Sequence, residues 1–236
     1  MNLDFLDESL PTLAEGAHSA GSGQMCAMEL VAFIEREEHS DHPQCTCPVL
    51  AAYTRQWNDH VPGRLRNHIL PLLPQLVGTR NDKYQIARAK YFAFAARDLA
   101  CKALQGRIDL SLIEKLRNSK TMQECRAVAL ECRHAAVDAA SSACAVANAA
   151  ANAANAAANA ASNAANAAND SDAAANAANV AAYASDAVSA RAAVAAADQI
   201  WLDALETLKG AIALDPDHSP ATWTQTDYVR GLEAMA

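Results

Sequence analysis

Aromatic residues make up only 5% of this chain of 236 residues, and glycine and proline number eight each. Most of those glycines and prolines fall before residue 80, so the second half has few built-in breaks. Basic charge is also short: 19 Lys and Arg face 27 Asp and Glu, for a net charge of −8. Broad nucleic-acid binding needs a basic surface to displace counterions, so no nucleic-acid partner is expected. No apolar run approaches the roughly 18 residues of a membrane-crossing helix, and no membrane partner is expected either. The opening residues Met1 to Glu8 are acidic and lack the basic-then-apolar layout of a secretion signal. Seven cysteines is an odd number, and Cys101, Cys125, Cys132 and Cys144 sit inside helical patterns rather than in a disulfide framework. A reducing, cytoplasmic setting follows as the expectation.

From Ala135 to Asp198 the chain is nearly all alanine, with asparagine returning every three or four residues at Asn148, Asn152, Asn155, Asn159, Asn163, Asn166, Asn169, Asn176 and Asn179. That spacing is the helical repeat, so the carboxamides form one polar stripe on a rod otherwise covered by methyl groups. No lysine or arginine occurs between Arg133 and Arg191, so the charge pairs that lace an ordinary exposed helix are missing. Alanine buries little area per residue, and only close helix contact makes that burial worthwhile. An unbroken helix from Thr121 to Leu208 would run about 130 Å. Asn169-Asp170-Ser171-Asp172 favours a turn, and folding back there gives two helices whose alanine faces meet. A hairpin is the preferred reading, with one long helix as the alternative because the stripe keeps its phase through Asn176.

The remainder reads as helices too. A first helix spans Met25 to Arg36, with Cys26, Leu30, Phe33 and Ile34 on one face and Glu29 beside it. Pro48 opens a second that runs through Tyr53 and Trp57 to Asn58. Leu65 to Leu76 is short and disturbed by Pro71 and Pro74, and Gly78 is a stop. Lys83 to Leu104 is amphipathic, Leu110 to Leu116 is short, and Thr121 with Glu124 forms a capping-box pattern. Nothing demands a sheet, and the fold class is all-α. The expected organisation is a flexible segment at 1–24, a helical head at 25–120, the alanine/asparagine hairpin at 121–209 and a C-terminal segment at 210–236 that docks on the body.

One loop concentrates unusual side chains. His39, His42, Cys45 and Cys47 offer nitrogen and sulfur donors within reach of one another, and Cys26 lies one turn before Glu29 on the preceding helix. Zinc is the ion such donors would hold, although the Cys-x-Cys spacing fits no standard finger, and the alternative is that no cofactor binds. Cys26, Glu29 and a loop histidine are also the candidate nucleophile and base. Glu29, Asp41, His42 and Arg80 are the candidate ligand-binding residues. The plainer reading makes Ser40 and Asp41 turn caps and the cysteines small buried apolar groups.

Met25-Cys26-Ala27-Met28-Glu29, Ser40-Asp41-His42-Pro43-Gln44-Cys45, Pro48-Val49, Trp57-Asn58-Asp59 and Leu76-Val77-Gly78-Thr79-Arg80 resemble motifs of an uncharacterised family of alanine-rich proteins from bacteria, especially actinobacteria, and their phages. The likeness covers about residues 15–80 and implies a helical, intracellular protein, with no activity attached. Three functions are weighed. The first is an interaction or scaffolding protein that self-associates, or clasps a partner protein, through alanine-lined helices. The second is a small-molecule binder or metal-dependent enzyme centred on Cys26, Glu29, Asp41, His42 and Cys45. The third, resting on the resemblance, is a phage-related protein that counters host defence by sequestration. The first is the expected function.

Overall fold

A computed structural model of the chain describes residues 12–80, 82–135 and 198–234. Among these the secondary structure is helical, with one isolated antiparallel bridge between Thr46 and Val77. The fold class is therefore all-α, as the periodicity predicts. The asparagine stripe and the expected bend at Asn169–Asp172 lie outside the described residues.

Helix α1 (Ala27–Ile34) is so apolar that seven of its eight residues are buried. It packs on α2 (Pro48–His60), whose first-turn proline has no N–H to leave unsatisfied. The prolines at 71 and 74 break the following stretch into α3 (Gly63–Arg66), a 3-10 segment (Asn67–Leu72) and α4 (Leu73–Leu76). Leu65, Ile69, Leu70, Leu72, Leu73 and Leu76 still reach the core from this irregular run. Gly78, at φ +76°, takes the left-handed turn that ends it, and its N–H donates to the Cys45 carbonyl at 2.9 Å.

The longest described helix, α5 (Asp82–Leu104), organises the rest. On one side it packs against α6 (Leu110–Arg117) and α7 (Met122–Ala135). Asp109 caps α6 through the Ser111 N–H at 2.7 Å, and Thr121 and Glu124 close the capping box of α7. On its other side lies α8 (Asp198–Ile212), wedged between α5 and α2. There the Trp57 indole donates to the Trp201 carbonyl at 3.1 Å, and the Tyr53 hydroxyl to the Ala204 carbonyl at 3.2 Å. Tyr53 also stacks on Phe92 of α5 with ring centroids 4.4 Å apart. The last helix, α9 (Gln225–Glu233), returns to α1, and Trp223, Tyr228 and Leu232 are buried.

Two anchors fix the directions of these helices. The buried Arg88 donates from Nε to the Ala211 carbonyl at 3.2 Å, and Tyr91 lies against Gly210. Helix α8 is thus antiparallel to α5, with its first residues near the C-terminal end of α5. On the other side, Arg97 donates to the Ser119 carbonyl at 3.0 Å, and the Cys101 thiol to the Ile113 carbonyl at 3.8 Å. The Cys132 thiol donates to the Leu112 carbonyl at 3.9 Å, and Lys115 pairs with Glu131 at 2.7 Å. Helix α7 therefore runs beside α5 toward that same end.

Candidate functional site

The centre of the polar region is Glu29, which is 1% exposed at the start of α1. Its position three residues after Cys26 lets Oε2 reach back to the Cys26 N–H at 2.8 Å, satisfying one donor that a helix start leaves over. The same carboxylate receives the His18 N–H on Oε1 at 2.6 Å and the His18 Nδ1 on Oε2 at 2.8 Å. His39 stands on the far side, its Nε2 3.7 Å from Oε1 and 2.8 Å from the His18 carbonyl. Glu29 is thus a hub with three donors on two oxygens, and two imidazoles converge on it.

Cys26 and Glu29 are adjacent as the spacing requires, but the thiol is not set up as a nucleophile. Burial pushes it up to about 12, with the Glu29 carboxylate adding to the effect against the opposing N–H groups of Glu29 and Met28. At neutral pH it is a thiol. Cys45 is pushed up to about 12 as well, first by burial and then by the Glu37 carboxylate. Glu37 accepts the N–H groups of both Gln44 and Cys45, which folds the loop back on itself.

The remaining candidates are spread out. Asp41 and His42 pair at 2.6 Å at the surface, where the His42 side chain is 67% exposed. Arg55 of α2 steadies Asp41 by donating to its backbone carbonyl at 2.8 Å. Arg80 donates to the Gln44 side-chain oxygen at 2.6 Å and tethers the loop to the turn after α4. Cys47 is buried at the start of α2, and its N–H donates to the Thr79 hydroxyl at 3.0 Å. Among the described residues, no group of three or more His, Cys, Asp or Glu side chains surrounds a point suited to a metal ion. Glu29 and His39 come together, whereas His42, Cys45, Cys47 and Arg80 serve separate contacts.

Other residues turn out to matter more than their sequence context suggests. Asn58 is fully buried at the end of α2: its Oδ1 accepts the Ala27 N–H at 3.3 Å and its Nδ2 donates to the Ala14 carbonyl at 2.7 Å. Asp59 accepts the Gly16 N–H at 2.8 Å, and Arg66 donates to the carbonyls of Leu13 and Asn58 at 3.0 and 2.9 Å. Asn58 and Asp59 stand near the end of α2, but the Ala14 carbonyl and the Gly16 N–H that they bind lie more than 40 residues away in sequence. No local signal carries that information.

Comparison with known proteins identifies no relative: no family model, no curated protein and no solved structure matches the chain.

Proposed function

We propose that this is a scaffolding protein whose alanine/asparagine stretch folds back into a helical hairpin and self-associates through its methyl faces. What supports the reading most is where that stretch is fastened. Its two flanks, α7 and α8, both lie along α5, and Ala135 and Asp198 sit toward the same end of that helix. A straight helix over the 62 residues between them would be about 93 Å long, whereas α5 itself spans about 35 Å. Two flanks fastened toward one end of so short a helix favour a reversal over a single rod. Asn169–Asp172 is the segment in this stretch richest in turn-forming side chains.

Two arms of some 30 residues each, bearing methyl groups, would have little else to cover their outer faces. Uncovered surface of that kind finds a copy of itself. The polar region of the head points the same way from the other direction. Glu29, Asn58, Asp59 and Arg66 spend their hydrogen bonds on other parts of the same chain, and the buried thiols are protonated.

The test is the oligomeric state of the full chain by light scattering. Ala150, Ala157 and Ala161 each lie two positions after an asparagine, about 200° around the helix from the stripe. Replacing all three with glutamate is expected to dissociate the assembly. The same three charges placed on the stripe, at Asn152, Asn159 and Asn163, are expected to leave it intact. A wild-type chain that stays monomeric at every attainable concentration would overturn the proposal.

A further inference from the structure

Residues 13–18 are held in an unusual way: the head reads their backbone rather than their side chains. The Leu13 N–H donates to the Asn67 side chain at 3.0 Å, and its carbonyl accepts from Arg66 at 3.0 Å. The Ala14 N–H donates to the Met25 carbonyl at 2.8 Å, and its carbonyl accepts from Asn58 at 2.7 Å. The Gly16 N–H donates to Asp59 at 2.8 Å. The His18 N–H donates to Glu29 at 2.6 Å, while its carbonyl sits 2.8 Å from the His39 Nε2. Six side chains therefore address four residues of one segment. They come from α1, α2, α3, the 3-10 segment and the loop between α1 and α2, and none belongs to the segment itself.

The side chains of the segment contribute at few points. Leu13 is the one buried anchor, at 1% exposure. Beyond it Ala14, Gly16 and His18 are half-buried and Glu15, Ala17 and Ser19 exposed, in a chain that bends at residues 15–16. Gly16 has φ +81°, so the bend there suits glycine above other residues. His18 Nδ1 meets the Glu29 carboxylate. The link onward to α1, through Ser19 to Ser22, is exposed and includes Gly21 at φ +76°.

Main-chain hydrogen bonds for affinity, with one apolar pocket and one charged contact for selectivity, are how proteins recognise linear peptides. We infer that this cleft is a docking site for a peptide of the pattern Leu-x-x-Gly-x-His that bends at its glycine, and that residues 13–18 are its intramolecular occupant. Arg66 is also held by the carbonyls of Asn58 and Val61, at 2.9 and 3.4 Å, so groups outside the occupant help position this reader, and the exposed Glu15 carboxylate of the occupant lies 3.6 Å from it. The site lies in the head and does not depend on the alanine stretch.

The experiment uses the full chain with a protease recognition sequence inserted between Ala20 and Gly21. After cutting, the N-terminal fragment is expected to stay bound on gel filtration, and an excess of a labelled synthetic peptide of residues 12–19 is expected to displace it. Peptides carrying Leu13→Ser or His18→Ala should compete about tenfold less well or worse, the scale set by losing one buried apolar side chain or one charged hydrogen bond. Uncut chain that forms dimers dissociated by the free peptide would be the same site filled by a second copy. A fragment that saturating peptide never displaces, or a head that unfolds as the fragment leaves, would make residues 13–18 an integral part of the core and overturn the inference.

Discussion

Two regions of the described residues solve the same problem by opposite means. Between residues 12 and 80 the chain is interrupted by Pro43, Pro48, Pro62, Pro71 and Pro74 and by glycines. Many of its N–H and carbonyl groups therefore lie outside regular helices, and buried ones must find partners elsewhere. That region holds the buried polar residues Glu29, Thr46, Thr54, Asn58 and Thr79, and the helical region that follows it holds Gln85, Arg88 and Ser119. Between Gln75 and Asp215 there is no proline at all. Helices α5, α6 and α7 satisfy their own backbones, and their core combines the small residues Ala93, Ala96, Ala100, Cys101, Cys125, Ala129 and Cys132 with larger ones such as Phe92, Ile113 and Leu116. Their ion pairs, Arg97–Asp98 and Lys115–Glu131, sit toward the surface. Glu29, Asn58 and Thr79 serve backbone groups that lie outside helices or at their starts, and small residues let α5, α6 and α7 approach closely.

If that contrast holds, the largest loss should follow from breaking the Glu29 hub. Glu29→Ala leaves the N–H groups of Cys26 and His18 and the His18 ring without their acceptor, and about 3–5 kcal/mol of stability should disappear in denaturant titrations. A cost below about 1 kcal/mol would mean that water replaces the carboxylate and that the hub is dispensable.

Close packing predicts the next effect. A Cβ on Gly231 would overlap Leu30 Cδ1, and Leu30 is fully buried, so the contact must be relieved within the core. Gly231→Ala should cost about 1–3 kcal/mol by overpacking the contact between α1 and α9. A Cβ on Gly210 would stand even nearer, against the Tyr91 hydroxyl. Tyr91 is 37% exposed and can swing outward, so Gly210→Ala should be nearly neutral, within about 0.5 kcal/mol. Equal penalties for the two substitutions would show that mobility of the neighbour does not decide the cost.

Alkaline pH should separate the thiols from the rest. Burial pushes Cys26, Cys45 and Cys132 up to about 12 and Cys125 to about 11, from an ordinary value of 9.0. These groups stay protonated in the folded chain at pH values where the unfolded chain ionises them. Their contribution to stability is thus constant below about pH 9 and declines as pH rises through the window up to their folded values. Cys125→Ala and Cys132→Ala should each flatten the decline in urea midpoints measured from neutral pH upward. A slope unchanged in both variants would assign the alkaline loss to other groups. The smallest effect is expected at His42: exposed and paired only with its neighbour Asp41, it should change stability by less than about 0.5 kcal/mol on substitution by alanine.

The local reading reached far along the helices and little way into the polar region. Thr121 with Glu124, Pro48 in a first turn and Gly78 at a stop are signals contained within four residues, and each acts in the structure as local chemistry dictates. The Leu65 to Leu76 run was legible as disturbed, though its division into two single-turn helices around a 3-10 segment was not. Glu29 and His39 meet, yet His18 completes that contact from a segment whose glycines and serines mark it as loose. Asn58 looked like a helix end because nothing near it in sequence announces the Ala14 carbonyl it binds.

Composition and periodicity alone pointed to an all-α protein, because apolar spacing, caps and breakers act over a few residues and call on no distant partner. Which polar side chain is buried, which thiol is shielded and where both ends of the alanine stretch are fastened were decided by tertiary structure. Those outcomes depend on desolvation and on partners brought from distant positions, and neither quantity exists until the chain has closed on itself.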